Sequence, residues 1–216
     1  MNGTSTRFAF YEIVRIVVPG LYFIFLAFAL SIGFGIPLTP FATWEFGILF
    51  FVLGTIIAGL SFYSRETPKK RKAFQQNQPS LFILNRSREI SSVHPLTEDE
   101  ARQLYFYILN HHLPATVHDK IFFFGMIYHV MINIRRTSFW FGLAGLIGAI
   151  VQIAITQTLS MPAATTVLLI WFVYIMNVRH NKADRKMQEN YEDQIFWLEM
   201  NKEKVDALIS QRSQKS

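Results

Sequence analysis

Four polar side chains between residues 118 and 136 are the best candidates for a ligand site. At 100° per residue, His118, His129, Asn133 and Arg136 fall, together with Gly125, within about 80° of one another on a helix. A polar seam on an otherwise apolar helix could face a water-filled vestibule or bind a phosphate-bearing ligand, with Arg136 pairing the phosphate. The same seam could be the solvent side of an amphipathic helix lying along a membrane. The sequence leaves both interpretations open.

The histidines do not predict a metal or catalytic site. Metal ligands on one helix need a spacing of three or four residues, whereas His118 and His129 are about 16 Å apart along a helical axis. His111 and His112 are adjacent and diverge, and His118 does not face Asp119. The sequence contains no cysteine, which excludes thiolate catalysis and cysteine zinc sites. We therefore expect no catalytic residue, no metal and no cofactor.

Charge is missing from two long stretches of the chain. The 49 residues between Arg15 and Arg65 contain one ionisable side chain, Glu45, and the 42 residues between Arg136 and Arg179 contain none. A soluble fold needs charged surface throughout, so these stretches do not belong to a soluble enzyme. A helix crosses the hydrocarbon core with about 20 residues, so each stretch is long enough for two spans.

Helix-breaking residues lie near the middle of each uncharged stretch. They run from Gly33 to Pro40 in the first stretch and from Ser160 to Pro162 in the second. We therefore predict an all-α membrane protein with four transmembrane helices arranged as two hairpins, and we expect a kink at Pro19. The predicted spans are 17–37, 43–63, 138–159 and 162–179.

The positions of lysine and arginine predict the topology. The first 15 residues hold two of the 21, the segment 63–136 holds eleven, and the tail from 179 holds eight. The two short connections between spans hold none. By the positive-inside rule, both termini and the long loop face the cytoplasm of a multi-pass inner-membrane protein. The predicted segments are an interfacial helix at 1–16, a hairpin at 17–63, a mostly helical loop domain at 64–136, a hairpin at 137–179 and a helical tail at 180–216.

A basic cluster follows the second predicted span. It consists of Lys69, Lys70, Arg71 and Lys72. Immediately inside a membrane, such a cluster is attracted to anionic lipid headgroups by about 1 kcal/mol per residue. The same residues could contact nucleic acid, but their position favours membrane lipids, so we do not expect a nucleic-acid partner.

The cytoplasmic parts contain several local signals. Thr97 and Glu100 form a capping box at the start of a helix, and a further helix is predicted from near Thr116. The apolar run 81–84 suggests a strand or an interfacial turn. The tail carries an apolar stripe at helical spacing, which predicts one helix that either extends the fourth span or turns along the loop. The loop alone is too small for a robust domain, so we expect membrane contact or a homo-oligomer to stabilise it.

Small residues recur along the second and third spans. Glycine and alanine at such spacing let helix backbones approach closely in lipid. They either pack inside one four-helix unit or form contacts between protomers. The residues are Gly54, Ala58, Gly142, Gly145, Gly148 and Ala149.

The first predicted helix resembles a known group of proteins. The sequence from Phe10 to Gly20, FYEIVRIVVPG, combines an aromatic stretch, an arginine and Pro-Gly before the first span. It is similar to the start of small multi-span prokaryotic proteins, some of which are encoded beside antiviral defence genes. The resemblance implies a membrane protein that senses infection or perturbs the bilayer when triggered.

Three functions are compatible with these patterns. The first is a non-enzymatic, oligomeric inner-membrane module that responds to a cytoplasmic signal or to a soluble protein partner, in the manner of a defence-associated sensor or effector. The second is a constitutive ion channel or transporter subunit. The third is a membrane-surface enzyme that acts on lipid or a phosphorylated substrate through His118, His129 and Arg136. The small-residue helix faces, the lack of catalytic groups and a cytoplasmic loop too small to stand alone favour the first.

Overall fold

The computed structural model describes residues 3–37, 44–64, 78–91, 94–180 and 182–213, and within these ranges the chain is helical without any strand. The helices are α1 Gly3–Gly33, α2 Trp44–Ser64, α3 Pro79–Ile90, α4 Glu98–His111, α5 Ala115–Thr156, α6 Met161–His180, α7 Lys182–Met200 and α8 Lys202–Ser213.

Four helical stretches are long and apolar enough to cross a membrane, which confirms the all-helical class and the number of candidate spans. They are Phe10–Gly33 in α1, Glu45–Ser64 in α2, Ala115–Thr156 in α5 and Met161–Met200, which begins with α6. As predicted, a break separates α5 from α6, where Gln157 has a left-handed φ of 59°. Ser160 caps the start of α6, because its hydroxyl accepts a hydrogen bond from the Ala163 N–H at 3.3 Å.

Two of these helices are longer than the predicted spans. α1 continues from Gly3 to Gly33 with Pro19 inside it, so the expected interfacial helix and first span form one element. α5 continues for 42 residues, so the helix predicted from near Thr116 and the third span are also one element. No proline occurs in α5 and no glycine lies between Gly125 and Gly142, so nothing interrupts the helix at the charged pair Arg135 and Arg136.

The chain divides into two compact units. Unit 1 contains residues 1–66 and 126–183, and unit 2 contains residues 67–125 and 184–216. In unit 1, α1 and α2 run antiparallel at close range. A Cβ atom on Gly20 would lie 2.0 Å from the Thr55 carbonyl oxygen, and one on Gly59 would lie 2.1 Å from the Ile16 carbonyl oxygen. Only glycine permits this approach of two backbones.

The remaining helices of unit 1 pack through small residues and rings. Trp171 on α6 donates its indole N–H to the Gly142 carbonyl at 3.2 Å. Ser160 donates its hydroxyl to the carbonyl of Gly33, at the end of α1, at 3.1 Å. On α5, Gly148 faces the ring of Phe34. These contacts place α1 beside both α5 and α6.

Unit 2 has its own apolar core, assembled from two separate parts of the chain. The loop helices α3 and α4 supply Ile83, Leu104 and Ile108, and the C-terminal helices supply Leu198 and Ile209. Each of these side chains is at most 6% exposed. The tail packs on the loop helices, which is one of the two courses predicted for it. It does so as two helices that meet at Asn201.

The apolar run 81–84 is helical, so the expectation of a strand or an interfacial turn is wrong. Pro79 starts α3 at a position where its missing N–H costs nothing. Ile83, Leu84 and Ser87 then fall on the buried face. Because residues 81–84 are all apolar, the sequence alone does not show which of them face the core at helical spacing. The predicted capping box is confirmed, because Thr97 and Glu100 exchange hydrogen bonds at the start of α4.

Candidate functional site

A pocket of about 570 Å³ lies within unit 1, between α1, α2 and α5. We call it the α1–α2–α5 pocket. Its walls are mostly aliphatic and aromatic, with Arg136, Thr137 and Ser61 as the polar contributions. The residues that line it are Phe23, Ile24, Phe50, Gly54, Ile57, Ala58, Ser61, Phe62, Arg136, Thr137, Trp140 and Phe141.

Two hydrogen-bond donors of this pocket have no acceptor among the described residues. The Nη1 atom of Arg136 and the Oγ1 atom of Thr137 are both buried and lack a hydrogen-bond partner. A buried polar group without a partner costs about 1–3 kcal/mol, and buried polar groups are rarely left in this state. The described lining also contains no carboxylate. The pocket therefore presents positive charge and donors to a group that can accept them.

Contacts between α1 and α5 hold the pocket's donors in place. Ser138, which follows Thr137, donates its hydroxyl to the Ile134 carbonyl at 2.8 Å, and the Tyr22 hydroxyl lies 2.7 Å from the same Ser138 oxygen. Because Ser138 uses its only proton within α5, Tyr22 is the donor across the two helices. This bond fixes the rotation of α5 against α1 at the level of the pocket.

Three of the aromatic rings that line the pocket pack against one another. Phe23 meets Phe141 edge-to-face with ring centroids 4.9 Å apart, and it meets Phe62 at 5.9 Å. Such pairs contribute about 0.5–1.5 kcal/mol beyond area burial. A single residue of α1 thereby joins α2 to α5.

The structure distributes the four predicted ligand residues between the two units. His118 belongs to unit 2, where its ring lies 4.5 Å from that of Phe122. His129, Asn133 and Arg136 belong to unit 1. Asn133 is 1% exposed, so this part of the seam is not an open solvent face. Of the four predicted residues, only Arg136 lines the α1–α2–α5 pocket.

No group of three or more potential metal ligands occurs among the described residues. The basic cluster of Lys69, Lys70, Arg71 and Lys72 lies outside the described residues.

The predicted small residues contact other helices of unit 1. A Cβ on Gly142 would lie 3.0 Å from the Trp171 ring, one on Gly145 would lie 2.8 Å from Val167, and one on Gly148 would lie 3.0 Å from Phe34. The remaining predicted small residues are Gly54, which faces Ile24, Ala58, which lines the pocket, and Ala149, which is buried.

Sequence reasoning missed Thr137, Tyr22 and Ser138, and it missed the close approach at Gly20 and Gly59. One signal was present, because two hydroxyl residues directly follow Arg136 where an apolar span begins. Nothing in a single sequence pairs Gly20 with the Thr55 backbone.

A second cationic site lies on α1. Arg15 forms an ion pair with Glu12 at 3.1 Å. Its guanidinium also lies 5.1 Å from the Tyr11 ring centroid and 4.9 Å from that of Tyr63. Cation–π contacts of this kind stabilise a guanidinium by about 0.5–2 kcal/mol, depending on how far it is desolvated. The charge of Arg15 is therefore compensated by its own surroundings.

Polar contacts in unit 2 join the loop helices to the tail. Arg86 binds the Asp206 carboxylate through two bonds of 2.9 and 2.7 Å, which lowers the pKa of Asp206. Tyr105 donates to Gln194, and burial raises the pKa of that phenol. Burial, followed by the nearby charge of Lys204, lowers the pKa of His112.

The side chain of Asn190 in unit 2 has no such contact. Asn190 is 1% exposed, and both its amide nitrogen and its amide oxygen lack a hydrogen-bond partner. Burying this amide without hydrogen-bond partners lowers the stability of unit 2.

No known protein family, curated protein or solved structure matches the chain.

Proposed function

We propose that this chain is a non-enzymatic, homo-oligomeric module of the inner membrane that responds to a signal or a soluble partner in the cytoplasm. In this proposal α1 and α2 form one transmembrane hairpin and α5 and α6 form the second. Both termini and all of unit 2 lie in the cytoplasm. The distribution of lysine and arginine supports this topology.

The observation that carries the proposal is the construction of unit 2. Its core combines the loop between the second and third spans with the tail after the fourth. A receiving unit built in this way is linked to the spans through several chain connections. One of them, α5, is a single helix whose residues 115–125 belong to unit 2 and 126–156 to unit 1. A continuous helix is a stiff element through which a change in one unit can reach the other.

Exposed apolar side chains on unit 2 support a partner or a second copy. Phe106 is 50% exposed, Tyr107 47%, Phe196 63% and Met200 71%. Unit 2 is the less apolar of the two units, and exposed rings and methionine on such a surface are typical of protein contacts.

The response can be tested with vesicles that contain the purified chain and a trapped dye. The proposal expects little leakage alone and rapid leakage after addition of lysate from stressed cells. The resemblance of Phe10–Gly20 to proteins from defence loci supports phage-infected cells as the first lysate to use. Leakage without lysate would indicate a constitutive channel, and silence with every lysate would contradict a membrane-opening response.

Two proline variants of α5 test whether it links the units. Met126→Pro places proline in the helix interior, where it removes a hydrogen bond and costs about 3 kcal/mol or more. Ala115→Pro places it at the first helical position, where proline is tolerated. The proposal expects Met126→Pro to abolish lysate-induced leakage and Ala115→Pro to preserve it. Equal leakage from both variants would show that a continuous α5 is not required.

A further inference from the structure

The α1–α2–α5 pocket lies at the boundary of an uncharged stretch. Arg136 is the last charged residue before the 42 uncharged residues of 137–178. A charged side chain at this position sits at the depth of lipid headgroups rather than in the middle of the hydrocarbon. Arg136 and Thr137 both line the pocket, so they place a guanidinium and a hydroxyl at headgroup depth, and the Arg136 Nη1 and Thr137 Oγ1 atoms have no hydrogen-bond partner among the described residues.

The rest of the pocket is apolar and elongated. On α2 its lining runs from Ser61, near the end of the helix, back to Phe50. Eleven residues of helix correspond to about 16 Å along the axis. The walls beyond Arg136 include Ile24, Ile57 and Trp140. One end of the pocket is thus cationic, and the remainder suits a hydrocarbon chain.

We propose that the α1–α2–α5 pocket binds one anionic phospholipid. Its headgroup phosphate accepts hydrogen bonds from Arg136 and Thr137, and one acyl chain lies along Ile24, Ile57 and Trp140. Arginine suits this role because its guanidinium stays charged and binds phosphate oxygens through two N–H groups. This assignment does not rest on the proposed function, since it requires only that the spans lie in a bilayer.

Two other occupants fit the pocket less well. A free phosphate ion would satisfy Arg136 but would leave the apolar length of the pocket empty. An apolar helix of a second copy would fill that length but would leave both buried donors without an acceptor. A phospholipid supplies the acceptor and the chain in one molecule, and the membrane supplies it at high local concentration.

The test uses the full-length chain in nanodiscs of equal parts phosphatidylglycerol and phosphatidylcholine, followed by native mass spectrometry of the released protein. Both lipids carry the phosphate, but the choline ammonium of phosphatidylcholine is repelled by the Arg136 guanidinium, so we expect the wild type to retain phosphatidylglycerol over phosphatidylcholine by about tenfold. Arg136→Gln should bring this ratio close to one. Arg136→Lys should keep part of the preference, because the charge remains.

A control and a pocket-filling variant separate this site from general surface charge. Arg179→Gln removes the same charge from an exposed side chain at the end of α6 and should leave the ratio unchanged. Ala58→Leu fills the apolar part while Arg136 stays in place, and it should reduce retention of both lipids at the site. If Arg136→Gln proves unstable, the lipid ratio of Arg136→Lys and the lipid retention of Ala58→Leu test the site in its place.

Several results would overturn the proposal. One is an equal lipid ratio in the wild type and Arg136→Gln. Another is full retention in Ala58→Leu, which would place the lipid elsewhere. Displacement of the lipid by millimolar inorganic phosphate would identify a free anion as the ligand. A dimer without bound lipid in the mass spectrum would show that a second copy occupies the pocket in place of the lipid.

Discussion

Replacing Gly20 by alanine should push α1 away from α2 and destabilise unit 1. The new Cβ would lie 2.0 Å from the Thr55 carbonyl oxygen, whereas real Cβ contacts are essentially never shorter than 3.0 Å. The obstruction is backbone, so no side chain can rotate aside and the helices must part by about 1 Å. A gap of 0.5–1 Å forfeits about a quarter to a half of the dispersion attraction between facing atoms.

The direction of the change in the free energy of unfolding distinguishes this backbone contact from a simple change in helix propensity. In an exposed helix, glycine to alanine stabilises by about 1 kcal/mol. Overpacking costs about 1–3 kcal/mol, and a backbone obstruction places Gly20→Ala at the upper end. We therefore expect a net loss of about 2 kcal/mol in the free energy of unfolding.

Gly54→Ala provides the matched control within the same pair of helices. Its Cβ would lie 2.8 Å from the Cδ1 atom of Ile24, the far end of a side chain that can rotate. We expect its effect to stay within about 0.5 kcal/mol. Unfolding in mixed micelles of rising dodecyl sulfate content, followed by circular dichroism, measures both variants. The reasoning fails if Gly20→Ala is as stable as the wild type, or if Gly54→Ala costs as much as Gly20→Ala.

Three further predictions concern unit 2, and hydrogen exchange of its helices measures each. Asn190→Leu should stabilise the unit by about 1 kcal/mol, because it removes an unsatisfied buried amide; faster exchange would contradict this. The lowered pKa of His112 means that its stabilising form is neutral. Stability should therefore fall as the pH drops below about 6.5, and His112→Gln should remove that slope. The pairing with Arg86 lowers the pKa of Asp206, so the ionised carboxylate stabilises folded unit 2 above about pH 4, and this stabilisation is lost as the pH falls through the pKa of Asp206 in the folded state. If stability falls with acid equally in Asp206→Asn and in the wild type, this prediction is contradicted.

The candidate spans were predictable because their signal is local. Lipid excludes charge, so the two uncharged stretches, one ending at Arg65 and one beginning after Arg136, mark the candidate spans without knowledge of any contact. The capping box at Thr97 was predictable for the same reason, since both partners lie within one turn.

The packing was not predictable because its signal is shared between distant parts of the chain. Ile209 in the tail completes a core that begins at Ile83 in the loop, and neither helix reveals its partner. The apolar run around Ile83 even suggested a strand, because the helical spacing of the buried residues includes the polar Ser87, whose burial the sequence does not reveal.

The candidate pocket was only partly predictable. Arg136 stood out as a charge beside an apolar span. Its grouping with Thr137 and Ala58 depends on how α2 meets α5, which is a tertiary contact.

The central claim is that the loop and the tail assemble on one side of a four-span membrane protein, and single-cysteine labelling tests it most directly. The chain has no cysteine of its own, so each introduced thiol is the sole target. The positions are Asn85 in α3, Gln211 in α8 and Thr158 between α5 and α6, all exposed. In intact cells, an impermeant maleimide should label Thr158→Cys, and it should reach Asn85→Cys and Gln211→Cys only after permeabilisation. Labelling of either helix position from outside, or protection of Thr158→Cys, would contradict the account.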